Sequence, residues 1–272
     1  MQETTNAEKL LEFCKQDQVR YRTIIHDLCS PCPEWDRAMA GGRPLPCLQY
    51  FADNQKSVSL LAQVKGNKLR LEGKLNNIAR SQLIAWLRKL SPAGIATTSL
   101  AIKETLAEVL EISDWGEHAQ YTVTPAHFKA RVVAPVKKLT ANDRPAWERF
   151  AARNHSEAPM AGHGAVGRDV GFMFSGLPVE CYITEKAGKI TGLLTTNPVT
   201  EACDEISTLY VYPSYRRKGL AHSLLSIATQ EIIALDRQPA YFAGGNPPRL
   251  GAMLTALGYS FGSYFWEWRF WW

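Results

Sequence analysis

The sequence predicts an α/β protein, and three observations carry that reading. Ile206–Tyr212 is rich in β-branched and aromatic residues and runs through a cationic turn into an amphipathic helix starting near Gly219. The order hairpin, helix, strand, helix, strand occurs twice, in residues 58–124 and again in 180–270. The 272 residues, 46% of them hydrophobic, suit one large domain or two of ordinary size with a real core. The expected boundary is Pro125–Lys129, which gives an N-terminal α/β domain over 1–128 and a C-terminal domain over 129–272.

Composition narrows the function classes. The net charge of +5 is spread along the chain and not gathered into a basic stripe, so no nucleic-acid partner is expected. Met1-Gln-Glu-Thr-Thr5 is acidic and polar where a signal peptide is basic and then apolar, and no apolar run reaches the length of a membrane span. The expectation is a cytoplasmic protein with no membrane partner and with its six cysteines reduced. Oligomeric state is not legible.

In chain order, Leu10, Cys14, Tyr21, Ile25 and Leu28 lie on one face of a first helix ending near Ser30-Pro31. Cys29-Ser-Pro-Cys32, with His26 and Cys47, could furnish four zinc ligands, but a second closely spaced pair is missing. Thiols in a turn are the preferred reading, and no metal is expected. Residues 29–56 read as loop. Two β-like runs from Val58 to Lys74 flank Gly66-Asn67, a hairpin signal. Helix is expected from Ala79 to Leu90, strand at Ile95–Thr98, helix after the Ser99 cap, and strand at Gln120–Thr124. The repeated order suggests that the N-terminal half is a diverged copy of the C-terminal one; an unrelated α/β domain is the competing view.

In the C-terminal half, Arg131–Leu139 reads as strand and Asp143–Asn154 as helix. Residues 155–176 form a Gly-rich connection. Its Gly162-His-Gly-Ala-Val-Gly167 matches a dinucleotide fingerprint only on paper, because no strand precedes it and no helix follows. Strands are expected at Cys181–Thr184, Ile190–Thr196 and Cys203–Tyr212, then the long helix, then a strand at Ala240–Ala243. Asn246 caps a helix that closes at Leu257-Gly258, and Tyr259–Phe270 is a last aromatic strand. Alternation puts Trp266, Trp268 and Phe270 on its core face, with Trp271 and Trp272 beyond that pattern.

Between the strand and the long helix stands Arg216-Arg-Lys-Gly-Leu-Ala221. Gly219 removes a Cβ, the helix start leaves N–H groups unpaired, and three cations adjoin, which together favour a phosphate group. The run Val211-x-Pro213-x-x-Arg216-x-x-Gly219-x-Ala221 resembles the acyl-CoA-binding motif of the GNAT superfamily of N-acetyltransferases, with Ala221 where many members have Gly. Asn246 to Gly258-Tyr259 resembles the second motif of that family, one residue longer than usual. The resemblance covers roughly residues 130–270. It implies the acyl-CoA N-acyltransferase fold, a mixed and mostly antiparallel central sheet flanked by helices. The N-terminal copy lacks Arg-x-x-Gly-x-Ala in Glu72–Asn77, so no cofactor is expected there.

The family likeness further implies acetyl-CoA as co-substrate and a small-molecule or peptide amine as acceptor, joined by direct transfer in a ternary complex. By the same likeness Leu209, Tyr210 and Val211 offer backbone groups to the pantetheine arm. Arg216, Arg217, Lys218, Gly219, Leu220, Ala221 and His222 form the pyrophosphate cradle. Asn246 is a further pantetheine contact, and 155–176, with His155, Glu157 and His163, is a candidate acceptor lid. Acyl transfer to an amine near pKa 10.4 needs a base. Glu205, eleven residues before Arg216, resembles the general base of the histone-acetyltransferase branch, with Asp204 behind it. Where many members carry an acid tyrosine this chain has Leu254, so that either the thiolate leaves unprotonated or Tyr259, Tyr210 or Ser207 substitutes. A non-catalytic acyl-CoA sensor and an acyltransferase for longer chains are the alternatives.

Overall fold

The structure is a computed structural model. It describes the chain outside residues 1, 5, 18–19, 22–23, 26–27, 29–47, 54–57, 66–67, 76–79, 91, 111, 113–114, 158–169, 172, 177, 245–247 and 270–272. Contacts divide it into two units: 1–120 with 243–247 and 262–272, and 121–242 with 248–261.

The first unit contains β1 (Gln2–Glu3), α1 (Ala7–Lys15), β2 (Leu48–Ala52), β3 (Leu60–Lys65), β4 (Lys68–Gly73), α2 (Arg80–Leu90), β5 (Gly94–Thr97), α3 (Leu100–Leu110) and most of β6 (Gly116–Thr122). β1 to β4 pair antiparallel in sequence order and β4 pairs parallel with β5. Beside β5 lies the end of the chain: β12 (Ser260–Arg269) runs antiparallel to it, with Trp266 opposite Thr97 and Trp268 opposite Ile95. Trp268 packs against the cluster built by Leu69, Leu71, Leu83, Leu87, Ile95, Ile102 and Leu106. A second cluster joins Leu10, Phe13 and Cys14 of α1 to Tyr21, Ile24, Tyr50 and Leu61.

Two sequence expectations change here. The first helix stops at Lys15, because Asp17 caps a new turn by accepting from the Arg20 N–H at 2.9 Å. The stretch read as loop up to residue 56 contains β2, whose Leu-Gln-Tyr-Phe-Ala pairs along its full length with β3.

The second unit repeats the connectivity. β7 (Lys137–Lys138), α4 (Arg144–Glu157), β8 (Glu180–Lys186), β9 (Lys189–Thr200), β10 (Cys203–Val211), α5 (Leu220–Ala234), β11 (Gln238–Gly244) and α6 (Pro248–Ala256) follow in order. β7 to β10 pair antiparallel and β10 pairs parallel with β11, matching β1 to β5 element for element. The shared order favours the diverged-copy view of the N-terminal half. The core of this unit joins Trp147 and Phe150 of α4 to Cys181, Ile183, Leu193 and Tyr210 of the sheet.

Only two residues of the expected strand Arg131–Leu139 pair as β7. Upstream, seryl oxygens of α5 intercept the backbone: Arg131 N–H donates to Ser226 Oγ at 2.8 Å, and Val133 and Ala134 N–H donate to Ser223 Oγ at 2.9 and 3.1 Å. Pro135 then offers no donor for a ladder. The zinc candidates His26, Cys29, Cys32 and Cys47, the Gly66-Asn67 turn, most of the 155–176 connection with His163, Asn246, and Phe270, Trp271 and Trp272 lie outside the described residues.

Candidate functional site

The site is built on β10 and the turn that follows it. Strand register decides which face of the sheet each residue meets. Tyr210 is opposite Leu193 and Glu205 opposite Asn197, and directly opposed residues of an antiparallel pair project to the same side. Leu193, Thr195 and Asn197 alternate onto one face of β9. The offset from Glu205 to Tyr210 is odd, so a regular strand would place the two on opposite faces.

A bulge removes that conflict. The register shifts between Ile206 and Thr208, which inserts Ser207 as an extra residue. The phase of β10 reverses there, and Glu205 joins Tyr210 on the face that packs on α4, where the Tyr210 ring meets Phe150 at 5.9 Å between centroids. Ser207 Oγ bonds Thr195 Oγ1 at 2.9 Å on that same face. The opposite face belongs to α5. Gly192 is paired with Val211, and a Cβ on Gly192 would stand 3.2 Å from Leu224 of that helix.

Glu205 is partly buried, with Asn197 across one ladder and Ala240 across the other. Asn197 Oδ1 is buried and has no hydrogen-bond partner among the described residues. Asp204 takes a different role. Its buried carboxylate accepts from Arg237 Nη1 at 3.1 Å; burial pushes its pKa up, and the guanidinium works against that push.

The turn after β10 makes one 3₁₀ turn at Pro213–Tyr215 and then enters the left-handed region twice, at Arg217 (φ 60°) and Gly219 (φ 78°). Gly219 is the N-cap of α5, and the N–H groups of Gly219, Leu220, Ala221 and His222 donate to no acceptor among the described residues. Such an array at the positive end of a helix is an anion site. Two of the three cations brace the loop: Arg216 Nε donates to the Val211 carbonyl at 2.9 Å and Lys218 Nζ to the Ser214 carbonyl at 3.1 Å. Arg217 is exposed.

The missing Cβ of Gly219 proves to serve packing. A Cβ there would lie 2.4 Å from Val133 Cγ2, so the space expected for a ligand is filled by the 131–134 segment. That segment also brings Arg131 near His222, whose pKa is lowered first by burial and then by the Arg131 charge.

Residues 147–243, which span α4 to β11, match the family model described as Acetyltransferase (GNAT) family. That stretch is the chain's match to the GNAT family. Solved structures extend the likeness to nearly the whole chain. A GNAT-family acetyltransferase from Colwellia psychrerythraea superposes with a TM-score of 0.59 at 13% identity, covering 99% of this chain and 98% of that one. A GCN5-related N-acetyltransferase from Sphaerobacter thermophilus gives 0.56 at 13%, with 91% of each chain covered. A tandem GNAT protein from the clavulanic acid biosynthesis pathway gives 0.51 at 13%, covering 93% and 95%. At such identities the likeness is one of fold, and it spans the N-terminal unit. No curated protein matches the chain by sequence.

The acid-tyrosine position and its substitute Tyr259 both lie in the core. Leu254 is fully buried on α6. Tyr259 is 2% exposed, its hydroxyl is bonded to Thr229 of α5 at 2.6 Å, and burial raises its pKa above the ordinary tyrosine range. It is a core residue whose hydroxyl is already engaged. Of the sequence candidates, β10 and the turn thus bring together Leu209 to Val211 and Arg216 to His222, with Glu205 on the face of α4. Asn197 and the strap serines Ser223 and Ser226 had no sequence signal, since neither a strand asparagine nor a helical serine stands out from its neighbours. No cluster of three metal-ligating side chains occurs among the described residues, and no helix there is long and apolar enough to cross a membrane.

Proposed function

We propose that this protein is an acetyl-CoA-dependent N-acetyltransferase that transfers the acetyl group directly to an amine. The observation that carries the reading is the row of four successive N–H groups, Gly219 to His222, without acceptors among the described residues, at the helix start inside the GNAT match. Backbone donors fixed in this way suit a pyrophosphate, and Arg217 adds charge without being tied to the loop. Leu209 and Val211, on the α5 face of β10, suit an apolar pantetheine arm.

In this mechanism Glu205 takes a proton from the ammonium form of the acceptor, directly or through water. The freed amine attacks the thioester carbonyl, the nitrogen of the tetrahedral adduct gives up its second proton to water, and the C–S bond breaks as the thiolate departs with the electron pair. A thiol pKa near 8.5 makes that departure feasible without a strong acid, which fits the burial of Leu254 and of the Tyr259 hydroxyl. The same two residues favour a second reading, a non-catalytic acyl-CoA sensor. Calorimetry with coenzyme A, followed by thiol release from acetyl-CoA in the presence of a panel of amines, tests both. Binding with amine-dependent thiol release supports the enzyme, binding without release supports the sensor, and no binding refutes both.

A further inference from the structure

We propose that the segment between Lys129 and Lys137 is a gate on the cradle, shut in this structure with Val133 over Gly219 and displaced when a diphosphate takes the N–H row. The inference rests on the pyrophosphate reading of Gly219 to His222 and deepens it by naming what controls access to that row. Val133 Cγ2 stands 2.4 Å from the place that a Cβ would occupy on Gly219, so its side chain covers the open flank of the first donor. A diphosphate that accepts from the Gly219 N–H brings an oxygen to about 3 Å from that nitrogen. Val133 and the bound group therefore compete for the space around one residue.

The segment is firm at its ends and weakly held between them. At one end the Lys129 N–H donates to the Leu257 carbonyl at 3.0 Å. At the other, Lys137 Nζ pairs with Asp143 at 3.0 Å and Glu185 at 3.1 Å, and Lys138 Nζ with Glu180 at 3.0 Å and Glu231 at 2.5 Å. Residues 130–136 make no backbone–backbone hydrogen bond among the described residues. Their three backbone bonds, from the N–H groups of Arg131, Val133 and Ala134, all end on the hydroxyls of Ser223 and Ser226. Water can serve those donors once the segment lifts, and Ser223 Oγ still has the Gly219 carbonyl at 3.4 Å. Lifting also exposes little new apolar surface, because Val132 is already 48% and Val133 56% exposed. Few buried apolar contacts and replaceable hydrogen bonds place a segment at the low-stability end of a structure, where local opening occurs first.

The test uses the full chain with two ligands, coenzyme A and inorganic pyrophosphate. Calorimetry gives Kd, stopped-flow fluorescence gives the association rate, and hydrogen–deuterium exchange follows the amides of residues 130–136 with and without each ligand. Saturating ligand is expected to speed exchange at Val133 and Ala134, whereas a segment with a merely structural role is left unchanged or becomes protected. Ser223→Ala removes the acceptor of two of the three bonds and shifts the population towards the open form. It is expected to raise the association rate and the affinity for both ligands about tenfold. Val133→Ala keeps all three bonds and is expected to raise them about twofold. The inference is overturned if Ser223→Ala, folded by circular dichroism, binds both ligands no faster and no tighter than the wild type. It is equally overturned if ligand binds while exchange of the segment stays constant or slows, a result that leaves the pyrophosphate reading standing. Should Ser223→Ala fail to fold, Val133→Ala and the exchange measurement on the wild type decide. Absence of binding by the wild type and by both opened variants refutes the pyrophosphate reading itself, and the gate with it.

Discussion

Substituting Gly219 by alanine probes two costs that the structure keeps separable. The first is backbone: Gly219 has φ 78°, and a left-handed conformation costs a residue with a Cβ about 1–2 kcal/mol. The second is contact: the new Cβ would stand 2.4 Å from Val133 Cγ2, well inside van der Waals distance, and overpacking of this kind costs about 1–3 kcal/mol. Gly219→Ala is therefore expected to destabilise the protein by about 2–5 kcal/mol, the sum of those ranges. At about 2–4 °C per kcal/mol, thermal unfolding falls by roughly 4–20 °C. Val133→Ala alone, at a side chain that is 56% exposed, should cost within about 0.5 kcal/mol. Combined with Gly219→Ala it should return the contact cost and leave the backbone cost, an interaction energy of about 1–3 kcal/mol in a double-mutant cycle. Urea unfolding of the four proteins measures that coupling. Strict additivity would mean that the 131–134 segment does not lie on Gly219, and the account of this glycine would fail with it.

Other perturbations reach different parts of the chain. Glu205→Gln should lower amine acetylation by about 10²–10⁴-fold at neutral pH with coenzyme A affinity retained; full turnover across the pH range would dismiss Glu205 as base. Arg217→Glu, which reverses an exposed charge beside the N–H row, should weaken coenzyme A binding more than Lys218→Ala, whose amine is spent on Ser214; calorimetry ranks the two. Arg237→Ala leaves the Asp204 carboxylate buried without its cation. Because burial already raises that pKa, the folded state binds the proton more tightly than the unfolded one. Stability from this group is then greatest below the unfolded value near 3.8 and declines as pH rises from there through the raised one. The variant's deficit should accordingly be largest at neutral pH and shrink on acidification, as denaturation at several pH values would show. In the first unit, Glu72→Ala removes a buried carboxylate that accepts from Arg70 Nε at 2.8 Å and from Thr98 N–H at 3.2 Å. A loss of about 2–4 kcal/mol is expected, read by thermal unfolding, with coenzyme A binding preserved.

Much of this architecture was legible because local chemistry announced it. The strand before Pro213, the glycine at a left-handed N-cap, and the apolar spacing of Leu224, Leu225, Ala228 and Ile232 on α5 all act over short range. The repeated order of elements was likewise open to reading, since hairpins and helices are punctuated by Gly, Pro and capping residues. What escaped was set by distant partners. Short β2 follows a Pro- and Gly-rich stretch and exists through its pairing with β3. The bulge at Ser207 has no marker of its own, yet it determines which face Glu205 occupies. Arg131–Ala134 has strand propensity, but two serines nearly a hundred positions later capture its donors.

The placement of β12 has a consequence for biosynthesis. The strand that flanks β5 comes from far along the sequence, so the first unit is incomplete until β12 has been made and has folded back onto it. During that interval one edge of β5 presents a bare ladder, which is an invitation to the β12 of a second molecule as much as to its own. A chain shortened after Tyr259 should therefore damage the half of the protein that it leaves formally intact, and crowded expression should yield exchanged dimers in which β12 strands have been traded.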